Sequence, residues 1–145
     1  TLLRESVELL RHQGQFDEIE IDDQCAADEC LVSMDRSRLM QVWINLLLNA
    51  QDAMQGKGRI ELSSRQDNQM ISISIQDNGN GITAEAANRI FEPFFTTKAP
   101  GSGYGLGLAV CQRIIDENGG SIEVKSEAGR GACFTVVLPS TIEHL

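Results

Sequence analysis

Apolar positions along the chain follow a helical period in some stretches and a two-residue period in others. Leu2, Leu3, Val7, Leu9 and Leu10 predict a first helix over Thr1 to His12, stopped by Gly14. Phe16 to Ile21 and Cys30 to Met34 predict two short strands that could form a hairpin. Asp35 is a candidate N-cap for a long second helix from Arg36 to Met54, where Leu39, Met40, Trp43, Leu46, Leu47, Ala50 and Met54 recur at helical intervals. Gly56 and Gly58 are expected to end it. Arg59 to Arg65 and Gln69 to Gln76 alternate as strands around Asp67-Asn68, a hairpin signal.

A glycine-punctuated loop follows, from Asp77 to Gly81. Thr83 to Phe91 predicts a short helix capped by Thr83, with Glu85 in its first turn. Glu92 to Gly103 carries Pro93, Pro100, Gly101 and Gly103 and is expected to be a lid-like loop. Tyr104 to Asn118 predicts a third substantial helix ended by Gly119-Gly120, and Ser121 to Ser126 and Ala132 to Leu138 predict two closing strands. Three main helices, a minor one and about six strands, the later ones in hairpins, predict an α/β (α+β) two-layer sandwich. Its mixed, mainly antiparallel sheet would be covered on one face by about three helices.

Composition narrows the partners. With 145 residues the chain suits one domain with a single core. A formal net charge of -9 argues against nucleic acid, whose phosphates need a basic face. A nucleotide is still compatible, because backbone N–H groups, one lysine or a metal supply enough local positive potential. The longest apolar run, Trp43 to Leu48, is too short to span a bilayer, and no secretory signal opens at Thr1, where the chain is expected to have been cut from a longer one. Cys25, Cys30, Cys111 and Cys133 form no Cys-x-x-Cys pair, which argues against zinc. Cys111 and Cys133 lie in apolar runs and are expected to be reduced core residues, in keeping with a cytosolic setting.

Three stretches carry candidate chemistry. Asn45 and Asn49 are one turn apart on the second helix, and Asp52 joins their face. They are either core amides bonded to nearby backbone or neutral oxygens that present Mg²⁺ to a polyphosphate. Asp77-Asn78-Gly79-Asn80-Gly81-Ile82 follows a strand whose Ile71, Ile73 and Ile75 share a face. It is either an ordinary turn or an aspartate placed to accept from an exocyclic amine, with Gly79 and Gly81 letting a flat ring approach the backbone. Gly101-Ser102-Gly103-Tyr104-Gly105-Leu106-Gly107-Leu108 is either a flexible hinge or a loop that offers N–H groups and a helix dipole to phosphate. It is neither a Walker A loop nor a dinucleotide fingerprint. Between the last two stretches, the aromatics of Phe91-Glu92-Pro93-Phe94-Phe95-Thr96-Thr97-Lys98 could anchor a lid. Lys98 could reach a terminal phosphate or stay solvated.

Taken in order, these stretches closely resemble the ATP-binding catalytic domain of sensor histidine kinases, in the Bergerat-fold superfamily with gyrase, Hsp90 and MutL. The N box corresponds to Asn45 through Ala50, the G1 box to Asp77-x-Gly79-x-Gly81-Ile82, and the F box to Phe91 through Phe95. The G2 box corresponds to Gly103-x-Gly105-Leu106-Gly107-Leu108, and Gly129-Arg130-Gly131-x-x-Phe134 is similar to the closing turn. The Phe-Phe-Thr-Thr-Lys run resembles the nitrogen-regulation and dicarboxylate-sensing kinases. The resemblance covers nearly the whole chain, residues 1–145, as one catalytic domain whose dimerisation and sensor domains are absent.

The resemblance implies ATP and Mg²⁺ as cofactors. Asn49 would be the metal ligand, Asn45 would position metal and phosphates, and Asp77 would accept from the adenine amine beside Gly79, Gly81 and Ile82. Phe94, Thr97, Lys98 and Tyr104 would belong to the nucleotide site, and Gly103, Gly105, Gly107 and the N–H groups of Leu106 and Leu108 would cradle phosphate, with Asn45 and Lys98 the catalytic candidates. Relatives that hydrolyse ATP carry a glutamate where Asn45 stands. An amide cannot take a proton at neutral pH, whereas a histidine nitrogen already has a lone pair. Transfer to histidine is therefore favoured over hydrolysis, with a stand-alone ATPase clamp and a non-catalytic binding module as alternatives.

Asp52 stands where many relatives carry a basic or aromatic residue, and is expected to turn outward or bond elsewhere. Asn80, Tyr104 and Ala132 also depart from common choices. His12 and His144 lack the phosphoacceptor context and are expected at the surface. The implied partners are the kinase's own dimerisation and histidine-phosphotransfer domain and, through the full-length kinase, a response regulator. The isolated domain would be a monomer and the parent a homodimer, in the cytoplasm or as the cytoplasmic part of an inner-membrane sensor.

Overall fold

The computed structural model describes residues 2–14, 16–25, 34–67, 69–93, 107–127 and 129–140. Helix α1 spans Leu2–His12, strand β1 Glu18–Cys25 and helix α2 Arg36–Ala53. Strands β2 (Lys57–Asp67) and β3 (Met70–Asp77) follow, then the one-turn helix α3 (Ala84–Ala87), helix α4 (Gly107–Glu117) and strands β4 (Ser121–Glu127) and β5 (Gly131–Pro139). The five strands form one sheet in the order β1-β2-β3-β5-β4. β1 runs parallel to β2, and every other neighbouring pair is antiparallel. This is the expected two-layer α/β arrangement with a mixed, mainly antiparallel sheet.

One face of the sheet is apolar. Ile19, Ile60, Leu62, Ile71, Ile73, Ile75, Ile122, Phe134, Val136 and Leu138 are buried at alternate positions of their strands. They lie in one core with Leu39, Val42, Trp43, Leu46, Leu47 and Ala50 of α2 and Cys111, Ile114 and Ile115 of α4. α1 adds Leu2, Leu3, Val7 and Leu10 and packs on α2, which also packs on α4. Leu9, counted in the apolar stripe of α1, instead stands 39% exposed. The other sheet face is polar, with Ser63, Ser74, Thr135 and Glu123 in register across four strands. Cys133 alternates onto that face and is half-buried, not a core residue as expected, whereas Cys111 is fully buried.

α2 forms as its caps dictate. The Asp35 side chain accepts from the Ser37 N–H at 3.1 Å, and the helix closes through Gln55 at φ 57° and Gly56 at φ 81°. Gly58, expected as part of the stop, lies inside β2. The Thr83 cap also forms, its hydroxyl accepting from Ala86 N–H at 3.1 Å, but its helix ends at Ala87 rather than Phe91. α4 begins at Gly107 among the described residues.

The largest departure is at the first strand. It lies at Glu18–Cys25, not Phe16–Ile21, and its partner is β2 in parallel, from Glu18 opposite Lys57 to Cys25 opposite Ser64. Parallel neighbours need a long crossover, which α2 supplies, so β1-α2-β2 is a βαβ unit rather than the start of a hairpin. The expected second strand, Cys30 to Met34, lies outside the described residues except for Met34, which is not in a strand, and the sheet holds five described strands against about six expected.

Candidate functional site

Asp77 ends β3 and is buried, 3% exposed. The strand's isoleucines drive it into the core and carry the carboxylate to the sheet's rim beneath α2. Its Oδ1 accepts from the Gly79 N–H at 2.9 Å and the Ala132 N–H at 3.3 Å. Both bonds engage Oδ1, so among the described residues Oδ2 remains to receive a donor. Burial holds the Asp77 carboxyl above its ordinary pKa of 3.8, opposed by the two N–H bonds that favour the charged form.

The loop after Asp77 is stitched to two neighbours. Asn80 N–H donates to Ala53 O at 3.1 Å at the end of α2, and Asn80 O accepts from Gly129 N–H at 2.6 Å in the β4–β5 turn. Ile82 N–H donates to Ser126 Oγ at 2.6 Å, and Ser126 Oγ donates in turn to Gly131 O at 3.0 Å. The Asn78 side-chain oxygen accepts from Arg59 N–H at 3.0 Å on β2.

These packing relations give the glycines a structural reason beside the expected one. A Cβ on Gly79 would lie 2.4 Å from Ala53 O, and one on Gly81 would lie 2.0 Å from Glu127 O. Gly81 also has φ +71°, where side chains are strained. Both glycines are therefore required first by backbone-to-backbone approach within the protein, whatever they offer a ring. Gly79, by contrast, is not among the positive-φ glycines, so close approach alone requires it there.

The helix-borne groups sit more openly. Asn45 and Asn49 of α2 are half-buried and Asp52 is exposed, in keeping with its expected outward turn. Asn45 Nδ2 lies 3.5 Å from Gly107 O, which joins the asparagine face of α2 to the first turn of α4. Gly107 and Leu108 thus stand next to Asn45 across the helix pair, and a Cβ on Gly107 would lie 3.9 Å from Asn45 Cγ. One turn further along α4, burial pushes the Cys111 thiol up to about 11, so it is an inert packing group. Among the described residues no cluster of His, Cys, Asp and Glu could hold a metal. The metal-ligating oxygens available there are neutral amides, which suits a hard cation held mainly by phosphate and water.

Seven expected site residues, Phe94, Thr97, Lys98, Gly103, Tyr104, Gly105 and Leu106, lie outside the described residues, as does His144. His12 is exposed at the end of α1. The structure brings Asp77, Gly79, Gly81 and Ile82 together at one end of α2, and Asn45, Gly107 and Leu108 further back along it. Ser126 and the backbone of Ala53 and Ala132 were missed. Backbone groups leave no mark in sequence, but Ser126 did: alternation puts it on the same face as Ile122 and Val124, a polar residue on an apolar side.

Comparisons with known proteins agree with this geometry. The model of the family "Histidine kinase-, DNA gyrase B-, and HSP90-like ATPase" matches residues 34–142. The sensor histidine kinase ZraS of Escherichia coli (strain K12) is 39% identical over 144 residues, covering 98% of this chain and 30% of its own. The chain spans between 16% and 31% of the length of the curated relatives it matches. The catalytic domain of histidine kinase ThkA superposes with a TM-score of 0.82 at 35% identity, over 96% of this chain and 90% of that one. ThkA has also been solved in complex with a response regulator protein, TrrA (TM-score 0.78, 32% identity, 97% and 40% coverage). Full-length ShkA in complex with AMPPNP superposes with a TM-score of 0.81 at 31% identity, over 99% of this chain and 30% of that one. A buried aspartate closing a strand, two asparagines on the helix above it, and sequence and fold likeness over nearly the whole length lead to one assignment: the chain belongs to the histidine kinase-, DNA gyrase B- and HSP90-like ATPase family, among the catalytic domains of sensor histidine kinases.

Proposed function

We propose that residues 1–145 form one catalytic domain that binds Mg-ATP and transfers the γ-phosphoryl group to a histidine on the parent kinase's separate dimerisation domain. The observation that carries this reading is Asp77, a buried carboxylate whose Oδ1 is fixed by two N–H donors and whose Oδ2 is left for a third. An adenine 6-amino group is such a donor, and a fixed acceptor distinguishes it from a carbonyl at the same place. The ShkA complex with AMPPNP supports an adenine nucleotide as ligand.

The remaining residues act by position. The Asn49 amide oxygen would hold the cation with Asn45 beside it, and the cation would supply positive charge to offset that of the phosphates. Gly107 and the Leu108 N–H, in the first described turn of α4, would face phosphate together with Gly103, Gly105 and the Leu106 N–H, where the helix dipole favours anions. Lys98 and the Phe94 to Leu106 stretch are assigned to the terminal phosphates by resemblance. Asn45 has no basic atom, so water lacks a base there, whereas an imidazole nitrogen from another domain needs none. Catalysis on this side is alignment and charge stabilisation. A response regulator would take the phosphoryl group onward, as the ThkA–TrrA complex suggests by analogy. The isolated domain would be monomeric and the parent a cytoplasm-facing homodimer. Among the described residues no helix is long and apolar enough to cross a membrane.

The test is calorimetric titration with AMPPNP, with and without Mg²⁺, on the wild type and Asp77→Asn. Saturable, Mg²⁺-dependent binding that the substitution weakens supports the reading. Phosphohistidine should then form only when a dimerisation domain is added. Absence of binding by a folded sample, or steady phosphate release without an acceptor, would refute it.

A further inference from the structure

The Asp77 loop depends on a residue outside every nucleotide-binding stretch singled out in the sequence. Ser126 sits near the end of β4, half-buried on the sheet's apolar face. Its hydroxyl is used in both directions. It accepts from Ile82 N–H at 2.6 Å and donates to Gly131 O at 3.0 Å.

These two bonds span the adenine end of the site. Ile82 closes the loop that begins at Asp77. Gly131 precedes Ala132, whose N–H donates to Asp77 Oδ1 at 3.3 Å. The loop and the strand that orient the carboxylate therefore meet at one oxygen. Other links between them are backbone bonds, such as Gly129 N–H to Asn80 O at 2.6 Å, and close packing, such as Gly81 against Glu127 O. Besides Asp77 itself, Ser126 supplies a side-chain link between the two, and a serine hydroxyl that both donates and accepts fixes each partner's direction. Without it, a part-buried N–H and a carbonyl lose their shared partner, and the relative placement of Gly79 N–H and Ala132 N–H around Oδ1 loosens.

We propose that Ser126 is a positioning residue for base recognition: it locks the 77–82 loop to the start of β5 and so aims Asp77 Oδ2 at the exocyclic amine of the bound purine. This rests on Asp77 reading that amine. The consequence is specific. Loss of the hydroxyl should reduce discrimination between an amine-bearing base and one without it, more than it reduces affinity for the triphosphate.

The experiment measures binding of AMPPNP and of its counterpart with hydrogen in place of the 6-amino group, for wild type, Ser126→Ala, Ser126→Thr and Asp77→Asn. Wild type should prefer AMPPNP. Ser126→Ala should lower that preference about five- to tenfold, the scale of one lost hydrogen bond. Ser126→Thr, which keeps the hydroxyl, should restore most of it. If the wild type shows no preference, the amine assignment to Asp77 fails, and this inference with it. If the wild type and Asp77→Asn differ as expected but Ser126→Ala keeps the wild-type ratio, the amine assignment stands and the role of Ser126 is overturned. A uniform loss for both nucleotides also overturns it, because it marks general loosening. Should Ser126→Ala not fold, amide exchange in the unaltered protein decides: Ile82 N–H should exchange at least about tenfold slower than an unstructured amide. Exchange at the unstructured rate overturns the proposal.

Discussion

The two ends of the site are built differently. At the Asp77 end, backbone meets backbone: Gly79 against Ala53, Gly81 against Glu127, and Asn80 bonded to both α2 and the β4–β5 turn. The carboxylate there is nearly sealed and already holds two bonds. At the asparagine end, Asn45 and Asn49 are half-buried, and Asn45 reaches α4 through side-chain contacts alone, its Nδ2 lying 3.5 Å from Gly107 O and its amide also meeting the Cys111 thiol. The first end is held by backbone contacts within the protein, as the proposed reading of one amine would require. The second leaves amides available to a hydrated cation and phosphates, which bring their own charge. A change at the first end should therefore damage both fold and affinity, and one at the second should damage affinity alone.

The sharpest way to break this contrast is Gly81→Ala. With φ at +71° and a carbonyl 2.0 Å from the new Cβ, the loop must move, and the expected loss of stability is about 3 kcal/mol or more. Chemical denaturation measures it, and a loss below about 1 kcal/mol would mean the clamp is soft. Next comes Asp77→Asn, which keeps an oxygen for the two N–H donors but turns the free acceptor into a donor. Affinity for AMPPNP should fall roughly a hundredfold. Equal affinity would remove the adenine end from the comparison.

Asn49→Ala should cost about tenfold in affinity with Mg²⁺, leave Mg²⁺-free binding unchanged, and shift the melting temperature little. A fall in stability as large as that of Gly81→Ala would erase the difference between the ends. The smallest effect is expected where α2 ends: Gln55 has φ 57°, and Gln55→Gly should gain about 0.5–1 kcal/mol. A loss there would show that the side chain makes contacts that outweigh its strain.

Acidity separates the ends without mutation. The folded protein holds the Asp77 carboxyl above 3.8, so on raising pH the unfolded chain releases this proton first. The group's contribution to stability is thus full below 3.8 and lost as pH rises through its folded pKa. Asp77→Asn should lack that loss in denaturation curves across mildly acidic pH. Nucleotide affinity should move oppositely, rising as the carboxylate ionises, and a flat affinity profile would argue against the charged acceptor.

Much of this was legible in order along the chain. The α2 stripe and its Asp35 cap, the β2–β3 alternation and the placement of Asp77 beside a row of isoleucines follow from local spacing and burial, which the sequence carries directly. The presence of an amine-accepting carboxylate and two helix-borne amides could be proposed from the same patterns. The reason for Gly79 and Gly81 could not, because what a missing side chain avoids is another segment: Ala53 lies 26 residues before Gly79, and Glu127 lies 46 after Gly81. The hydroxyl of Ser126 belongs to the same class. It was visible as a polar residue on an apolar face, but its partners at Ile82 and Gly131 were not.

The sequence by itself determined the long helices, the β2–β3 hairpin and the closing strands, and most of their apolar faces, since these depend on neighbours a few positions away. Only the tertiary structure decided that β1 lies parallel to β2 instead of turning back in a hairpin, because alternation marks a buried face and is silent about the strand beside it. Only the tertiary structure placed Ser126, Ala53 and Ala132 around the Asp77 loop, because their roles come from hydrogen bonds and close approaches between segments far apart in the chain.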